Sequence, residues 1–104
     1  MDDIQLKVID AIHTHKELVN DRVKFKGMLA DYLIDDKIHV NVLMNAYDEK
    51  FPIKIRNAAD KTLVAIQYIK ILSENYGISE INAKWSISTW CAVLGFDAVV
   101  ESDI

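Results

Sequence analysis

The residues of this chain with the most latent chemistry are three histidines and one cysteine, and their spacing decides what they can do. His13 and His15 form a His-x-His pair. On a helix, residues two apart point to nearly opposite faces, so both rings reach one metal ion only where the helix has already ended. They read as exposed or capping histidines. His39 stands alone on the polar side of its helix, without a Cys/His cluster to make it a ligand. Cys91 lies in the most apolar segment with no histidine nearby in sequence, the setting of a buried, inert thiol rather than a nucleophile. Asp31, Asp35 and Asp36 lack the ligand series of a calcium loop, and a turn accounts for the latter two. Lys24, Lys26, Lys54, Arg56 and Lys61 are scattered and carry no interleaved aromatics of a nucleic-acid face. The expectation is a chain without catalytic residues, metal ligands or a cofactor site, and therefore not an enzyme.

Trp85 and Trp90 carry chemistry of another kind, that of protein contact. At a spacing of five they stand roughly 140° apart on a helical wheel, so one neighbouring helix can hardly cover both rings. Both can anchor a core. The sharper expectation is that one ring is partly exposed, because tryptophan is enriched among the anchor residues of interfaces. Trp85 faces the Ile81 stripe and reads as core. Trp90 is the expected interaction residue, with Leu94, Phe96 and Ile87 as neighbours, and its loss should then weaken association while leaving helicity intact.

The elements that must position these residues are helices. The block from Tyr76 to Gly95 is punctuated at both ends: Gly77 stops one helix, Ser79 can cap the amide of Asn82, and Gly95 stops the next. Between the stops, Ile81, Trp85, Ser88 and Ala92 form one stripe and Ala83, Ile87, Trp90 and Leu94 another, so the helix needs cover on more than one side. Upstream, Asp2 or Asp3 opens a first helix with Ile4, Val8 and Ile12, ending near His15. Asn20 or Asp21 caps a second, with Phe25, Met28, Leu29, Tyr32 and Leu33 at helical spacing. Gly27 inside it suggests close approach of a neighbouring helix. A turn at Asp35–Asp36 leads to a third helix carrying Ile38, Val42, Leu43, Ala46 and Tyr47, widened by Val40 and Met44, which runs to about Asp48. Phe51-Pro52 breaks it and can begin a short helical turn. A fourth helix runs from Asn57 or Ala58 to Tyr76, its main stripe Leu63, Ile66, Ile69, Leu72 and Tyr76, with Ala65, Tyr68 and Ile71 beside it. Phe96 to Ile104 form an acidic tail in which Phe96, Val99 and Val100 can dock. The fold class is all-α, a compact bundle of about five helices in a single domain, 1–104.

Composition bounds what such a bundle does. With 51% hydrophobic and 27% charged residues, 3 glycines and 1 proline, the chain is profiled as a folded helical domain. A formal net charge of -4 argues against nucleic acid as partner. No apolar run approaches the roughly 20 residues of a membrane span, and Met1-Asp2-Asp3 lacks the basic start of a secretory signal, so no membrane contact and a cytoplasmic location are expected.

The series Leu18, Asn20-Asp21, Arg22, Phe25, Leu29 and Asp31, then Val42-Leu43, Ala46 and Tyr47, then Leu72, Tyr76-Gly77-Ile78, Ala83, Trp85, Trp90 and Leu94-Gly95 resembles a helical accessory module of bacterial multidomain proteins, roughly from Val8 to Phe96. That module recurs as an appendage to signalling or effector domains. The resemblance implies an all-helical module without catalytic residues. The expected function is a non-catalytic protein-interaction or regulatory module, docking a protein partner or self-associating. The alternative is a small-molecule-binding or enzymatic helical domain, with a pocket lined by Tyr32, Tyr47, Tyr68 or Trp85 and a converging His39 or Asp31.

Overall fold

The computed structural model describes residues 1–95. They form six α-helices and one 3-10 turn: α1 (Asp3–Thr14), the turn Lys16–Leu18, α2 (Arg22–Tyr32), α3 (Lys37–Asp48), α4 (Phe51–Asn57), α5 (Lys61–Asn75) and α6 (Glu80–Val93). The all-α expectation is met, with the segment at Pro52 forming a helix of its own. Side-chain caps start five of the six helices. Asp2, Asp21, Asp36, Asp60 and Ser79 each accept a backbone N–H from the third residue on, and Asp2 and Gln5 complete a reciprocal capping box. The exception is α4, where Lys50 sits in the left-handed region at φ 62° and proline stands in the first turn, so the helix begins by a backbone corner.

Glycine closes two ends as the sequence suggests. Gly77 at φ 64° ends the run after α5, and Gly95 at φ 93° follows α6. Between them the short link Tyr76–Ser79 folds α6 back along α5. The third glycine corrects an expectation. Gly27 is exposed, and a Cβ built there meets nothing within 4 Å, so no neighbouring helix approaches it. Its only effect is to loosen α2, and Gly27→Ala is expected to raise stability by about 0.5–1 kcal/mol, read as a shift of the urea midpoint.

Helix α6 is the axis of the bundle, packed by α1, α3, α4 and α5. Six consecutive residues, Ser86 to Cys91, are buried, which no helix with a single apolar stripe can achieve. Around it lie Val8, Phe25, Leu29, Leu43, Ile55 and Leu72, all fully buried or nearly so. One upstream stripe, on α5, is turned from its expected orientation, and that on α3 departs from it at Ile38 alone, with Val42, Leu43 and Ala46 buried as expected. On α5 the core face is Ala65, Ile69 and Leu72, with Tyr68 stacked on Phe51 at 3.9 Å between ring centroids, whereas Leu63, Ile66 and Tyr76 are exposed. On α3, Ile38 is exposed and Val40 and Met44 belong to the core. Both helices carry more apolar surface than their neighbours cover. Which part goes inward is set by the faces of α6 and α4, not by the helix alone.

Candidate functional site

The two tryptophans sit in opposite environments to those expected. Trp90 is 2% exposed. Its ring lies 5.8 Å from Phe25 and 6.4 Å from Tyr47, which stack on each other at 4.9 Å, and its indole N–H donates to the Leu43 carbonyl at 3.3 Å. Helices α2 and α3 therefore close over it, and the expectation of Trp90 as the exposed ring is corrected. Ile87 is fully buried, Leu94 is half-buried, and Phe96 lies outside the described residues. Trp85 is the half-buried ring. It sits where the cover of α6 runs out, beside the first turns of α1 and α3. Its indole N–H donates to Asp2 Oδ2 at 2.9 Å, and its face meets the His39 ring at 4.1 Å.

The groups with latent chemistry do not converge. His13 Nε2 lies 3.2 Å from the Val93 carbonyl, His15 Nε2 lies 3.2 Å from the Tyr32 hydroxyl, and His39 Nδ1 lies 2.7 Å from Asp36 Oδ2. Each is tied to a different neighbour. No group of three or more His, Cys, Asp or Glu able to hold a metal ion occurs among the described residues. Burial pushes the Cys91 thiol up to about 11, which leaves almost no thiolate at neutral pH. Asp36 caps α3, Asp35 takes a left-handed turn position at φ 62°, and Asp31 is exposed. The buried hydroxyls are committed too. Ser86 Oγ donates to the Val42 carbonyl at 2.8 Å, and Thr89 Oγ1 donates to the Trp85 carbonyl at 2.6 Å while accepting from Gln5 Nε2 at 3.0 Å. Among the described residues no buried side-chain polar atom lacks a partner.

The expected aromatic pocket is likewise dispersed: Tyr32 pairs with His15, Tyr68 with Phe51 and Trp85 with His39. Tyr47 donates its hydroxyl to the Val19 carbonyl at 2.5 Å and is the one of the four that borders the feature described next.

That feature is a groove between α4, the 3-10 turn after α1 and the last turn of α6. Two adjoining depressions of about 430 and 450 Å³ share Val19, Asn20, Pro52, Ile53, Arg56 and Trp90 as lining. Ile12, Val93 and Leu94 extend its apolar wall at one end and Tyr47 at the other. The small exposed fraction of Trp90 thus lies in the floor of the groove, beneath a half-exposed Ile53. Sequence reasoning singled out Trp90 and Leu94 but missed Ile53 and Pro52, whose short helix supplies the facing wall. The break at Pro52 was the signal that pointed to them.

The rim is cationic. Lys16, Lys50 and Arg56 border the groove, and among the described residues none of the three is in an ion pair. The carboxylate at the edge, Asp48, is already engaged by the Arg22 guanidinium through bonds of 2.7 and 2.8 Å, which hold its carboxyl below the usual carboxylate range. A contrasting depression between α5 and α6, lined by Ile66, Lys70, Glu74 and Lys84, is neutralised from within by the Lys70–Glu74 and Lys84–Glu80 pairs. No described helix is long and apolar enough to cross a membrane. Comparison with protein-family models, curated proteins and solved structures gives no match for this chain.

Proposed function

We infer that the chain is a non-catalytic protein-interaction module whose groove over Trp90 receives a short acidic, apolar segment of a protein partner. One observation carries this reading: the groove joins an apolar floor and walls to a rim of three cations, Lys16, Lys50 and Arg56, that are in no ion pair among the described residues. An apolar cleft of this size takes a few side chains in a line rather than a globular surface. Lys16, Lys50 and Arg56 then select acidic flanks and raise the association rate at low salt, more than they add to affinity. The resemblance of the Tyr76 to Gly95 block to accessory modules of bacterial multidomain proteins supports an appendage role of the same kind.

The test is selection of peptides from a random display library on the purified chain, with the Ile53→Asp/Arg56→Glu double variant as counter-target. The reading expects a consensus of aromatic or aliphatic residues flanked by Asp or Glu, bound at least about tenfold more weakly by the double variant. Enrichment of basic sequences, or of peptides that bind both targets equally, contradicts it. Both substituted positions are exposed, so the fold of the counter-target is preserved and is checked by its helical circular dichroism.

A further inference from the structure

We propose that the face between α5 and α6 docks a second copy of this chain, about a two-fold axis that crosses both helices. This face shares no residue with the groove over Trp90, so the inference goes beyond the peptide-binding reading and stands without it. The order of charges is the first support. On α5 the base comes first, Lys70 then Glu74, their charged atoms 4.0 Å apart; on α6 the acid does, Glu80 then Lys84, at 3.4 Å. The link Tyr76–Ser79 turns the chain back between them. The reversed order therefore brings both acids to the hairpin end and leaves both lysines one turn away from it. All four residues line one shallow depression of about 340 Å³.

A face that is acidic at one end and basic at the other is its own complement. Turned over about an axis across the helices, a second copy sets Glu74 against Lys70 and Lys84 against Glu80. An axis along the helices would set acid on acid, so the charges select one orientation and register. The pairs within one copy stay in reach, and each charge gains a second opposite neighbour. Apolar surface is the second support. Leu63 and Ile66 are 52% and 38% exposed, and Ile81 is 80% exposed. Leu63, Ile66, Lys70 and Glu74 follow one another at three- and four-residue steps on one side of α5. Ile81 stands next to Glu80, close to the axis, where it meets its own copy. Ile66 and Leu63 extend past the lysines toward the other copy's hairpin link, where Ile78 is half-buried. Charge balance is the third support: the chain carries a formal net charge of -4, yet these two acids and two bases cancel, so two copies meet here without local repulsion.

The test is analytical ultracentrifugation of the full chain over a concentration series, with two variants, Lys70→Glu/Lys84→Glu and Glu74→Lys/Glu80→Lys. The proposal expects a concentration-dependent dimer for the parent and at least about tenfold weaker self-association for either variant alone. Mixing the two variants should restore a dimer, because an all-acidic face then meets an all-basic one. Net charge alone would weaken only the acidic variant, and a misfolded variant would not recover on mixing. The four substituted side chains are between 40% and 73% exposed, and helical circular dichroism checks each fold. A parent that stays monomeric throughout overturns the proposal, as does a dimer that both variants keep or that mixing fails to restore. Loss of the dimer in the Ile53→Asp/Arg56→Glu variant alone moves the interface to the groove and overturns it likewise.

Discussion

Trp90→Ala is expected to lower folding stability by about 3–5 kcal/mol, the range for truncating a large buried aromatic side chain. A domain of this size has roughly 5–15 kcal/mol in all, so the variant should sit near the edge of folding at 37 °C. The size of the effect follows from what the ring touches. It closes the Phe25–Tyr47 stack, fills the space between α6 and the pair α2 and α3, and donates to the Leu43 carbonyl, so its loss opens a cavity and leaves that contact unmade. Urea unfolding followed by circular dichroism reads the change. Trp85→Ala is the control, because that ring is half-buried and bonds to an exposed carboxylate; its midpoint should move far less. A native-like midpoint for Trp90→Ala would restore Trp90 as a dispensable surface anchor and contradict its burial here.

Leu72→Ala should cost about 2–5 kcal/mol, while Leu63→Ala, on the same helix, should change stability by no more than about 0.5 kcal/mol. Leu72 is fully buried against α6, and Leu63 is 52% exposed. The two substitutions remove the same atoms and differ only in orientation. Equal costs for the pair would mean that α5 is rotated about its axis relative to the arrangement described here. Because the residues lie nine positions apart in one helix, the comparison also cancels helix propensity, which rises equally in both variants.

What the chain disclosed by itself was most of what local chemistry governs; the exception is the start of α5, expected at Asn57 or Ala58 and found at Lys61 behind the Asp60 cap. The acidic caps at Asp2 and Asp21, the turn at Asp35–Asp36, the serine cap at Ser79, the left-handed glycines 77 and 95 and the break at Pro52 all act within a few residues, and each falls where its chemistry places it. The inert environment of Cys91 followed in the same way, from the apolar character of its own helix. What remained hidden was orientation between helices. Leu63 and Ile66 on α5, Ile38 on α3 and the choice between the two tryptophans are decided by which neighbour arrives on which side. An apolar residue at helical spacing is compatible with either outcome. Gly27 misled for a related reason, since a glycine inside a helix signals either close packing or nothing, and here it meets open space. The groove combines residues from three separated parts of the chain, of which the sequence marked Trp90 and Leu94 as interaction residues, Tyr47 as a pocket residue and Pro52 as a helix break.

Where an acidic, apolar segment binds is measured most directly by amide chemical-shift mapping of a display-selected peptide on the labelled full chain. Binding in the groove predicts that the largest changes fall at Val19, Ile53, Arg56, Leu94 and the Trp90 indole N–H, and that they weaken as salt is raised, because Lys16, Lys50 and Arg56 are solvent-exposed. Changes centred on Ile66, Lys70 and Lys84 between α5 and α6, with the groove signals unmoved, would contradict it.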